Sequence, residues 1–486
     1  MENLDLLVKE LCRYDNETEW LEFKHNNYDP HMIGKDISAL ANSAALHEKS
    51  CAYMLWGVDD LTHDIVGTNY DLQTLKKGDQ EIGNWLRSLL SSNVDFDFKS
   101  VDIETEKGIV KVGVLIIYKA TSQTVMFEKV EYIRIGSYTK KLNEYPVIQS
   151  KLWNRLQNTK FEELHAKKGL SLTEALNMLD YSTYFDIKKE PQPTDANGIA
   201  HYMLEEGLIE KEDNGLYTIT NLGAILLAKR LSDFPKLSRK AIRVVQYKSN
   251  NRMNMLKEDI GTRGYVSGFE GLIRYICALI PTEEVISTAL RTHQSAYPVI
   301  AIREAVANAL IHQDFSVTGA GPVVEIFENR VEITNPGTPL VDIRRIVDNP
   351  PKSRNEKIAE LMRRLRICEE LGTGWDKMVI ACEFLQLPAP KINLYQESTK
   401  VTLFSDIPFT SLSAEDKLWS CYLHACIKQV QGEQLTNKSL RERFGVKETA
   451  SASISRLIKE AVESKLIKPL DPTTAPRYMK YIPVWG

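Results

Sequence analysis

The chain contains 486 residues, of which 43% are hydrophobic and 26% are charged. A prior of about 150 residues per domain predicts roughly three domains, and the composition excludes a disordered chain, a collagen and a small disulfide scaffold. The 61 basic and 65 acidic residues give a net charge of −4, so nucleic-acid binding would require a local basic patch.

The cysteines and the hydropathy pattern predict a cytoplasmic protein. The seven cysteines are odd in number and none has C-x-x-C spacing, which is typical of a reducing compartment and argues against structural zinc. The acidic first 20 residues do not resemble a signal peptide, and no apolar run is long enough to span a bilayer. We therefore expect no membrane association.

In chain order, the hydrophobic pattern first predicts a compact α+β domain over residues 1–150. Apolar residues at helical spacing predict two helices, and short apolar runs between turn-like segments predict the strands. The predicted helices cover 32–47 and 81–90, and the predicted strands cover 20–24, 51–58, 101–103, 110–118 and 130–135.

Three further units follow, which gives a multidomain α+β fold class. Residues 151–240 predict a helical, winged-helix-like coupling unit, residues 241–410 an α/β unit, and residues 411–486 a winged helix-turn-helix. The main signals are a helix ending at Glu206, a turn at Asn214-Gly215, a strand at 241–247, a helix opened by Pro298, a hairpin through Glu328-Asn329 and a helix after 353–355.

The first candidate site lies in the predicted strand at 20–24. There Glu22 and Lys24 would share one face of the strand. In a metal nuclease a carboxylate holds a divalent ion, and a lysine orients water or steadies phosphate charge. Glu17, together with Asp60 at a strand end, would complete an oxygen-rich site for Mg²⁺ or Mn²⁺. A solvated strand face with ordinary ion pairs explains the same spacing.

Residues 15–60 resemble the Schlafen-type AlbA-like domain. The resemblance rests on Glu17, Glu22, Lys24, Ala41-Asn42 and Gly57-Val58-Asp59-Asp60, and 132–137 resembles the family's late strand. It implies a nuclease that cuts transfer or ribosomal RNA with a divalent metal held by Glu17, Glu22 and Asp60, with Lys24 beside them and Arg134 contacting nucleic acid. Residues 43–50 replace a shorter, glycine-rich turn of the family.

The second candidate site is a polar stripe on the helix after Pro298. Glu304, Asn308 and His312 are spaced four residues apart, so they lie on one helix face. An asparagine there can ligate the magnesium of a nucleoside triphosphate, and a glutamate one turn earlier can activate water. The alternative is an ordinary polar stripe on a surface helix.

This helix resembles the N-box of the GHKL ATPases, and two further boxes follow in order. Asn335 and Gly337 occupy the adenine box, and Gly372 and Gly374 the second glycine box, where backbone N–H groups meet phosphates. The resemblance implies ATP binding with Asn308 as a metal ligand. Asn335 replaces the usual adenine-reading aspartate.

The order of these two units along the chain resembles that of a bacterial family labelled as transcriptional regulators or as RecG-like. A helicase is not supported by the residues, because Gly34-Lys35 lacks the upstream glycine of a phosphate loop.

The C-terminal unit is locally basic. Residues 411–486 hold 12 basic and 8 acidic residues, and Arg456 and Lys459 would face outward from the second helix of a helix-turn-helix, towards phosphates or base edges. Winged helices also serve as protein-contact or dimerisation modules.

Two functions remain open on the sequence. The first is an ATP-regulated, metal-dependent nuclease acting on RNA, with transfer RNA as the leading substrate, in stress response or phage defence by analogy to Schlafen proteins. The second is a non-catalytic, ATP-binding transcriptional regulator that binds DNA. A homo-oligomer is expected in both cases, because GHKL and Schlafen-like proteins often associate into oligomers.

Overall fold

The computed structural model describes the chain except residues 1–3, 15–16, 27, 61, 71–73, 92–93, 107, 158–159, 213–214, 281, 287–290, 351 and 369–373, and it describes only the backbone of 282–286 and 291–295. Contacts divide the chain into two compact units. The first unit contains residues 1–175 and 204–220, and the second contains residues 176–203 and 221–486.

The elements of the N-terminal region largely follow the predicted pattern. The helices are α1 (Leu4–Leu11), α2 (Pro30–Leu46), α3 (Ile82–Leu89) and α4 (Pro146–Gln157). The strands are β1 (Leu21–Lys24), β2 (Cys51–Trp56), β3 (Lys76–Lys77), β4 (Gln80–Glu81), β5 (Phe96–Thr105), β6 (Gly108–Tyr118), β7 (Met126–Phe127), β8 (Val130–Ile135) and β9 (Tyr138–Lys141). Helix α2 begins at Pro30 because Asp29 accepts a bond from the His31 amide, 2.9 Å away.

A four-stranded sheet in the order β1-β2-β6-β5 forms the centre of the first unit. Strands β1 and β2 are parallel, whereas β6 is antiparallel to both β2 and β5. All six residues of β2 are buried, because Met54 and Trp56 lie in the core on one face and Tyr53 and Leu55 in the core on the other. This double burial explains the continuous apolar run of β2.

Asn42 on α2 connects this helix to Val125, which precedes β7, and to Tyr132 in β8. Its Nδ2 donates to the carbonyls of Val125 and Tyr132 at 2.9 and 2.8 Å, and its Oδ1 accepts from the Val125 amide at 2.8 Å. The side chain is fully buried, so these three bonds satisfy backbone groups that water does not reach. The asparagine of the Ala41-Asn42 motif therefore has a structural role.

The middle of the chain contains short elements. These are β10 (His165–Leu170), α5 (Leu172–Met178), α6 (Tyr181–Lys188), α7 (Ala196–Glu205), β11 (Ile209–Lys211) and β12 (Tyr217–Thr220). The strands form a small antiparallel sheet in the order β10-β12-β11. Helix α7 ends at Glu205, one residue before the predicted end at Glu206. The predicted turn falls partly at Asn214, which lies outside the described residues, whereas Gly215 has the positive φ of a turn.

The second unit is built around a larger sheet. Its helices are α8 (Asn221–Leu227), α9 (Tyr265–Leu279), α10 (Val299–Ile311), α11 (Glu356–Arg364), α12 (Gly374–Phe384), α13 (Ala414–Val430), α14 (Asn437–Arg443) and α15 (Ser451–Glu463). Its strands are β13 (Arg243–Tyr247), β14 (Met255–Ile260), β15 (Thr282–Ile286), β16 (Arg291–Ser295), β17 (Val323–Ile326), β18 (Arg330–Pro336), β19 (Lys391–Tyr395), β20 (Ser398–Phe404), β21 (Ile467–Pro469) and β22 (Tyr481–Pro483).

Six of these strands form one mixed sheet in the order β14-β13-β17-β18-β20-β19. Only β13 and β17 run parallel within it. Helix α10 packs against β18 and β20 and also contacts α9 and α12. The helices thus form a layer over the sheet, and the polar stripe of α10 lies within that layer.

The last 76 positions, 411–486, supply α13, α14 and α15 followed by the β21–β22 pair. We call this segment the C-terminal module. A capping box starts α14, where Thr436 and Ser439 satisfy each other's backbone amides. Nowhere in the described parts of the chain is there a helix with the length and apolar character required to cross a bilayer.

Replacing Asn42 by leucine should destabilise the first unit. The change keeps the branched shape of the side chain but removes the partner of the buried Val125 amide and a donor to the Tyr132 carbonyl, each loss costing about 1–3 kcal/mol. The Val125 carbonyl keeps its bond from Ser38 Oγ at 2.8 Å. We expect the free energy of unfolding, measured by urea denaturation, to fall by at least about 2 kcal/mol. The matched change is at the exposed Asn84, whose side chain donates to the exposed Glu81 at 3.3 Å, and it should have little effect. Equal losses would contradict the structural role of Asn42.

Candidate nucleotide cavity and glutamate cluster

Two sites contain most of the residues singled out from the sequence. We call Glu17, Glu22, Lys24, Asp36 and Arg134, all in the first unit, the glutamate cluster. We call the pocket beside α10 in the second unit the nucleotide cavity.

Strand β1 places Glu22 and Lys24 side by side, as the alternation predicts. Leu21 and Phe23 face an apolar core, while the Lys24 ammonium donates to the Glu22 carboxylate. Glu22 is 4% exposed. A carboxylate this deeply buried requires paired charge and hydrogen bonds, since an isolated charge in the interior is strongly destabilising.

The second partner of Glu22 comes from β8. Arg134 Nη2 lies 2.5 Å from Glu22 Oε2 and 3.6 Å from Glu17 Oε2, so both glutamates converge on one guanidinium nitrogen. Arg134 is 3% exposed, and this burial directs its guanidinium to the glutamates rather than to solvent. The backbone holds Glu17 in place, because the Phe23 amide donates to its Oε1 at 3.0 Å.

Three acids and two bases share this small volume, and their pKa values reflect it. Burial, followed by the charge of Glu22, raises the pKa of Glu17. Burial also raises the pKa of Asp36, although a 2.6 Å bond from Thr139 opposes that shift. Burial lowers the pKa of Lys24, but the Glu22 carboxylate outweighs it and the pKa is raised overall. The cluster therefore favours the charged form of Lys24 and disfavours the ionised forms of Glu17 and Asp36.

Asp60, the third predicted metal ligand, lies elsewhere in the first unit. It is exposed beyond the end of β2, after Asp59, which caps the following turn by accepting from the Thr62 amide at 2.9 Å. Among the residues that the structure describes, no three histidine, cysteine, aspartate or glutamate side chains form a group able to hold a metal ion.

The nucleotide cavity assembles the three members of the α10 stripe. Glu304, Asn308 and His312 all line a cavity of about 490 Å³. This volume lies within the range of roughly 300–1,000 Å³ that is typical of small-molecule sites. Most of the rest of α10 is buried against the sheet and neighbouring helices, apart from the exposed Val299 and Ile300 in its first turn. The polar stripe lines the cavity together with the adjoining Ala305, Ala309 and Ile311.

The glycines of the predicted adenine box and of the predicted second glycine box can be placed in part. Gly374 begins α12 and lines the cavity, and its Cα lies so close to the Glu304 carboxylate that a side chain would collide with it. A helix that starts at a cavity wall directs its free N–H groups towards an anion. Gly372 lies outside the described residues. Gly337 has φ +97°, and its carbonyl accepts from Thr399 at 2.7 Å.

Asn335 is 7% exposed at the floor of the cavity. Its Nδ2 donates to the Pro336 carbonyl at 3.0 Å, which orients its Oδ1 as the remaining acceptor. An acceptor is also what an aspartate would offer at this position. The replacement of aspartate by asparagine therefore keeps the polarity that an amino group of a base requires.

Several basic side chains around the cavity were not identified from the sequence. Lys352, Arg354 and Arg363 line it. Arg354 pairs with Asp314 at 2.6 Å and also donates to the Thr338 carbonyl. The signal in the sequence was the K-S-R cluster directly before Asn355, in a connection that otherwise lacks hydrophobic periodicity.

His312 opens into the cavity but is surrounded by protein on its other sides. This partial desolvation, followed by the charge of Arg354, lowers its pKa to about 4. The imidazole is therefore neutral at pH 7 and can donate one hydrogen bond and accept another.

The C-terminal module contacts both the rim and the α12 wall of the cavity. Tyr422 donates to the carbonyl of Arg344, which lies on the segment that leads to the cavity residues Ile346 and Asn349. Tyr422 also accepts from Trp485 Nε1 at 3.1 Å within the module. On α12, Glu383 lies 3.0 Å from His424 and 3.3 Å from the buried Arg443.

Arg456 and Lys459 are both exposed on α15, as predicted for residues that would meet nucleic acid. Lys459 lies 3.7 Å from Glu463 one turn later, which partly neutralises it. Their role in binding stays a prediction.

Residues 17–143 match the family model described as "Schlafen, AlbA_2", and residues 319–403 match HATPase_c_4, described as "Putative ATP-dependent DNA helicase recG C-terminal". The chain joins a Schlafen-type AlbA_2 domain to a HATPase_c_4 domain. The glutamate cluster lies in the AlbA_2 domain, and the HATPase_c_4 match covers Asn335, Gly337 and Gly374. Together the domains indicate a nucleic-acid-related, ATP-binding protein.

No curated protein matches the chain. Among solved structures, the chain is similar to the DIP2311 protein from Corynebacterium diphtheriae, with 16% identity and a TM-score of 0.42, over 99% of this chain and 97% of that one.

Asp376 provides a pH-dependent test of the α12 wall. Burial, followed by the charge of Asp348, raises its pKa to about 6, so ionisation above that pH destabilises the folded state. The stability contributed by the protonated form is complete below the unfolded pKa and is lost as pH rises through about 6.

We expect Asp376→Asn to have a higher Tm than the parent chain at pH 8 and an equal Tm at pH 4, measured by differential scanning fluorimetry. A difference that appears only at the acidic end would contradict the sign of this shift.

Proposed function

We propose that this protein is an ATP-controlled, divalent-metal-dependent nuclease that acts on RNA, with transfer RNA as the leading substrate. The observation that carries the proposal is the convergence of Glu17 and Glu22 on one nitrogen of Arg134, with Lys24 bonded to Glu22. Two carboxylates and two cations at one point are the groups needed to hold a metal ion and to steady a phosphate.

The donor set fits Mg²⁺ or Mn²⁺ as a two-carboxylate site. Magnesium is usually bound through one or two carboxylates and completes its shell with water and substrate phosphate oxygens. Glu17 and Glu22 would hold the ion, whose positive charge would stabilise the charge that develops on the phosphate. Asp60, exposed beyond the end of β2, is not one of the two metal ligands in this proposal.

The residues of the chain itself would position the substrate. Lys24 keeps its proton because its pKa is raised by Glu22, so it can balance phosphate charge at neutral pH. Arg134 orients both carboxylates from the buried side.

ATP would bind in the nucleotide cavity. Asn308 would ligate the magnesium of the triphosphate, the start of α12 at Gly374 would face the phosphates, and Asn335 would read the adenine amino group through Oδ1. Glu304 would activate water if ATP is hydrolysed. ATP binding can control the AlbA_2 domain only if ATP binds with different affinity to the active and the inactive state of the protein.

A second function, a non-catalytic ATP-binding regulator of transcription, is favoured by a different observation. Glu22 is buried and lies against two cations, Lys24 and Arg134, which is the environment of a structural ion pair. In this alternative the exposed Arg456 and Lys459 of α15 contact DNA and ATP acts only as an effector. We propose a role in cytoplasmic stress response or phage defence for the nuclease, and not for the regulator.

Replacing Glu22 by glutamine separates the two functions. The amide keeps the size of the side chain but removes the charge, so cleavage of transfer RNA with Mg²⁺ or Mn²⁺ should fall roughly 100-fold or more while binding is retained. The measurement is cleavage on denaturing gels beside binding by filter retention. Glu104→Gln, on the exposed face of β5, is the control. Absence of cleavage by the parent chain on RNA and DNA, with binding intact, would instead support the regulator.

Replacing Asn308 by alanine tests the nucleotide cavity. Loss of the metal-ligating amide should weaken binding of Mg·ATP at least tenfold, or about 1.4 kcal/mol, by isothermal titration calorimetry. The control is Asn393→Ala, since Asn393 on β19 follows cavity residue Ile392 and faces away from it. Equal affinities of the two variants for Mg·ATP would reject the assignment of this cavity.

A further inference from the structure

Three basic side chains line the nucleotide cavity, and they differ in their counter-ions. Arg354 is paired with Asp314 at 2.6 Å. Within the described part of the chain, no acidic side chain forms an ion pair with Arg363 or with Lys352. A cation without a counter-ion at the wall of a cavity attracts an anionic group of a ligand. Its position along the cavity then decides which part of a nucleotide it meets.

Helix α11 runs back along α10, and hydrogen bonds join both of its ends to that helix. Before α11, Asn355 Nδ2 donates to the Ile311 carbonyl at 2.7 Å, at the C-terminal end of α10. After α11, the Arg366 carbonyl accepts from Arg303 Nη2 at 3.3 Å, and Arg303 directly precedes Glu304. Residues 303 and 311 are about 12 Å apart along α10, and residues 356 and 364 are about 12 Å apart along α11. The two helices are therefore antiparallel and matched in length.

The face of α11 that lines the cavity carries Glu356, Ala359 and Arg363. Spacings of three and four residues place these side chains in one row along the helix. Because α11 is antiparallel to α10, Glu356 lies at the His312 end of the cavity and Arg363 lies at the Glu304 end. Arg363 is only partly exposed to solvent there.

The Glu304 end of the cavity is where the terminal phosphate of ATP would lie in the proposed site. Asn308 would hold the magnesium, and Glu304 would activate a water molecule for attack on the terminal phosphorus. Asn335, which would read the adenine amino group, lies towards the other end, because the Asp314 amide donates to the carbonyl of the adjoining Pro336 at 2.8 Å. A nucleotide bound in this direction presents its terminal phosphate to the last turn of α11.

We propose that Arg363 binds the terminal phosphate of ATP and thereby makes the cavity prefer ATP to ADP. A guanidinium can donate two parallel hydrogen bonds to one phosphate, and charge-assisted bonds of this kind are stronger than neutral ones. ADP lacks the phosphate that Arg363 would contact. The inference rests on the proposed ATP site, and it adds the residue by which the protein would distinguish the two nucleotides.

The test compares ADP with a non-hydrolysable β,γ-imido analogue of ATP in calorimetric titrations of the full chain with Mg²⁺. The parent chain should bind the analogue more tightly than ADP. Arg363→Ala should weaken binding of the analogue about tenfold or more and change the affinity for ADP by less than about threefold. Arg363→Lys keeps the charge but loses the two-nitrogen geometry, so its affinity for the analogue should lie between those of the parent chain and Arg363→Ala.

Two further variants are the controls. Arg364→Ala should leave both affinities unchanged, because Arg364 is exposed, lies 3.7 Å from Glu360 and is not part of the cavity wall. Lys352→Ala tests the direction of the nucleotide, because Lys352 precedes Asn355 and lines the cavity at the end away from Glu304. It should change the affinities for the analogue and for ADP by the same factor.

Three results would overturn the inference and leave the cavity as a nucleotide site. They are equal affinities of the parent chain for the analogue and for ADP, equal losses of both affinities in Arg363→Ala, and a preference for the analogue that is lost in Lys352→Ala but kept in Arg363→Ala. The second result would make Arg363 a structural residue, and the third would reverse the direction of the nucleotide. A parent chain that binds neither nucleotide would reject the proposed ATP site and this inference together.

Discussion

Helix α10 has to satisfy two opposed demands, and the second unit depends on how it does so. Most of the helix is buried between the sheet and the helices α9 and α12, so most of its surface must be apolar or small. The same helix must present a glutamate, an asparagine and a histidine to the cavity. Spacing of four residues resolves the conflict, because it confines the polar groups to one stripe. The close approach of Gly374 to Glu304 shows how tightly α12 closes over that stripe.

The first unit solves a different electrostatic problem. Its glutamate cluster is held mostly away from water, where an excess of one charge is costly. Arg134 and Lys24 offset this cost, and the raised pKa values of Glu17 and Asp36 show that the compensation is incomplete. A phosphate or a cation entering the cluster would therefore change the charges that act on these two carboxyl groups. The burial of its charged groups distinguishes the cluster from a simple surface ion pair.

The sequence predicted local features better than distant ones. The burial of β2, the strand alternation of β1 and the stripe on α10 follow from periodicity, and the structure shows them where expected. Helix α9 was not predicted, because Gly268 and Gly271 interrupt its pattern, and β14 was not, because its exposed residues follow no alternation. The pairing of Arg134 with Glu22 joins strands far apart in the chain, and no local pattern reveals such a contact. The division into two units also depends on packing that sequence boundaries do not encode.

The ion pair between Glu383 and the buried Arg443 has a practical consequence for dividing the protein into fragments. A fragment that ends at residue 410, the predicted end of the α/β unit, would separate these charges. The shortened fragment would keep Glu383 on α12 without Arg443 or His424, and an apolar surface once covered by α13 would meet water. Such a piece would be prone to aggregate for reasons unrelated to its nucleotide chemistry. Fragments meant for crystallisation or screening should therefore retain α13 and α14, or replace Glu383 by an uncharged residue of similar size.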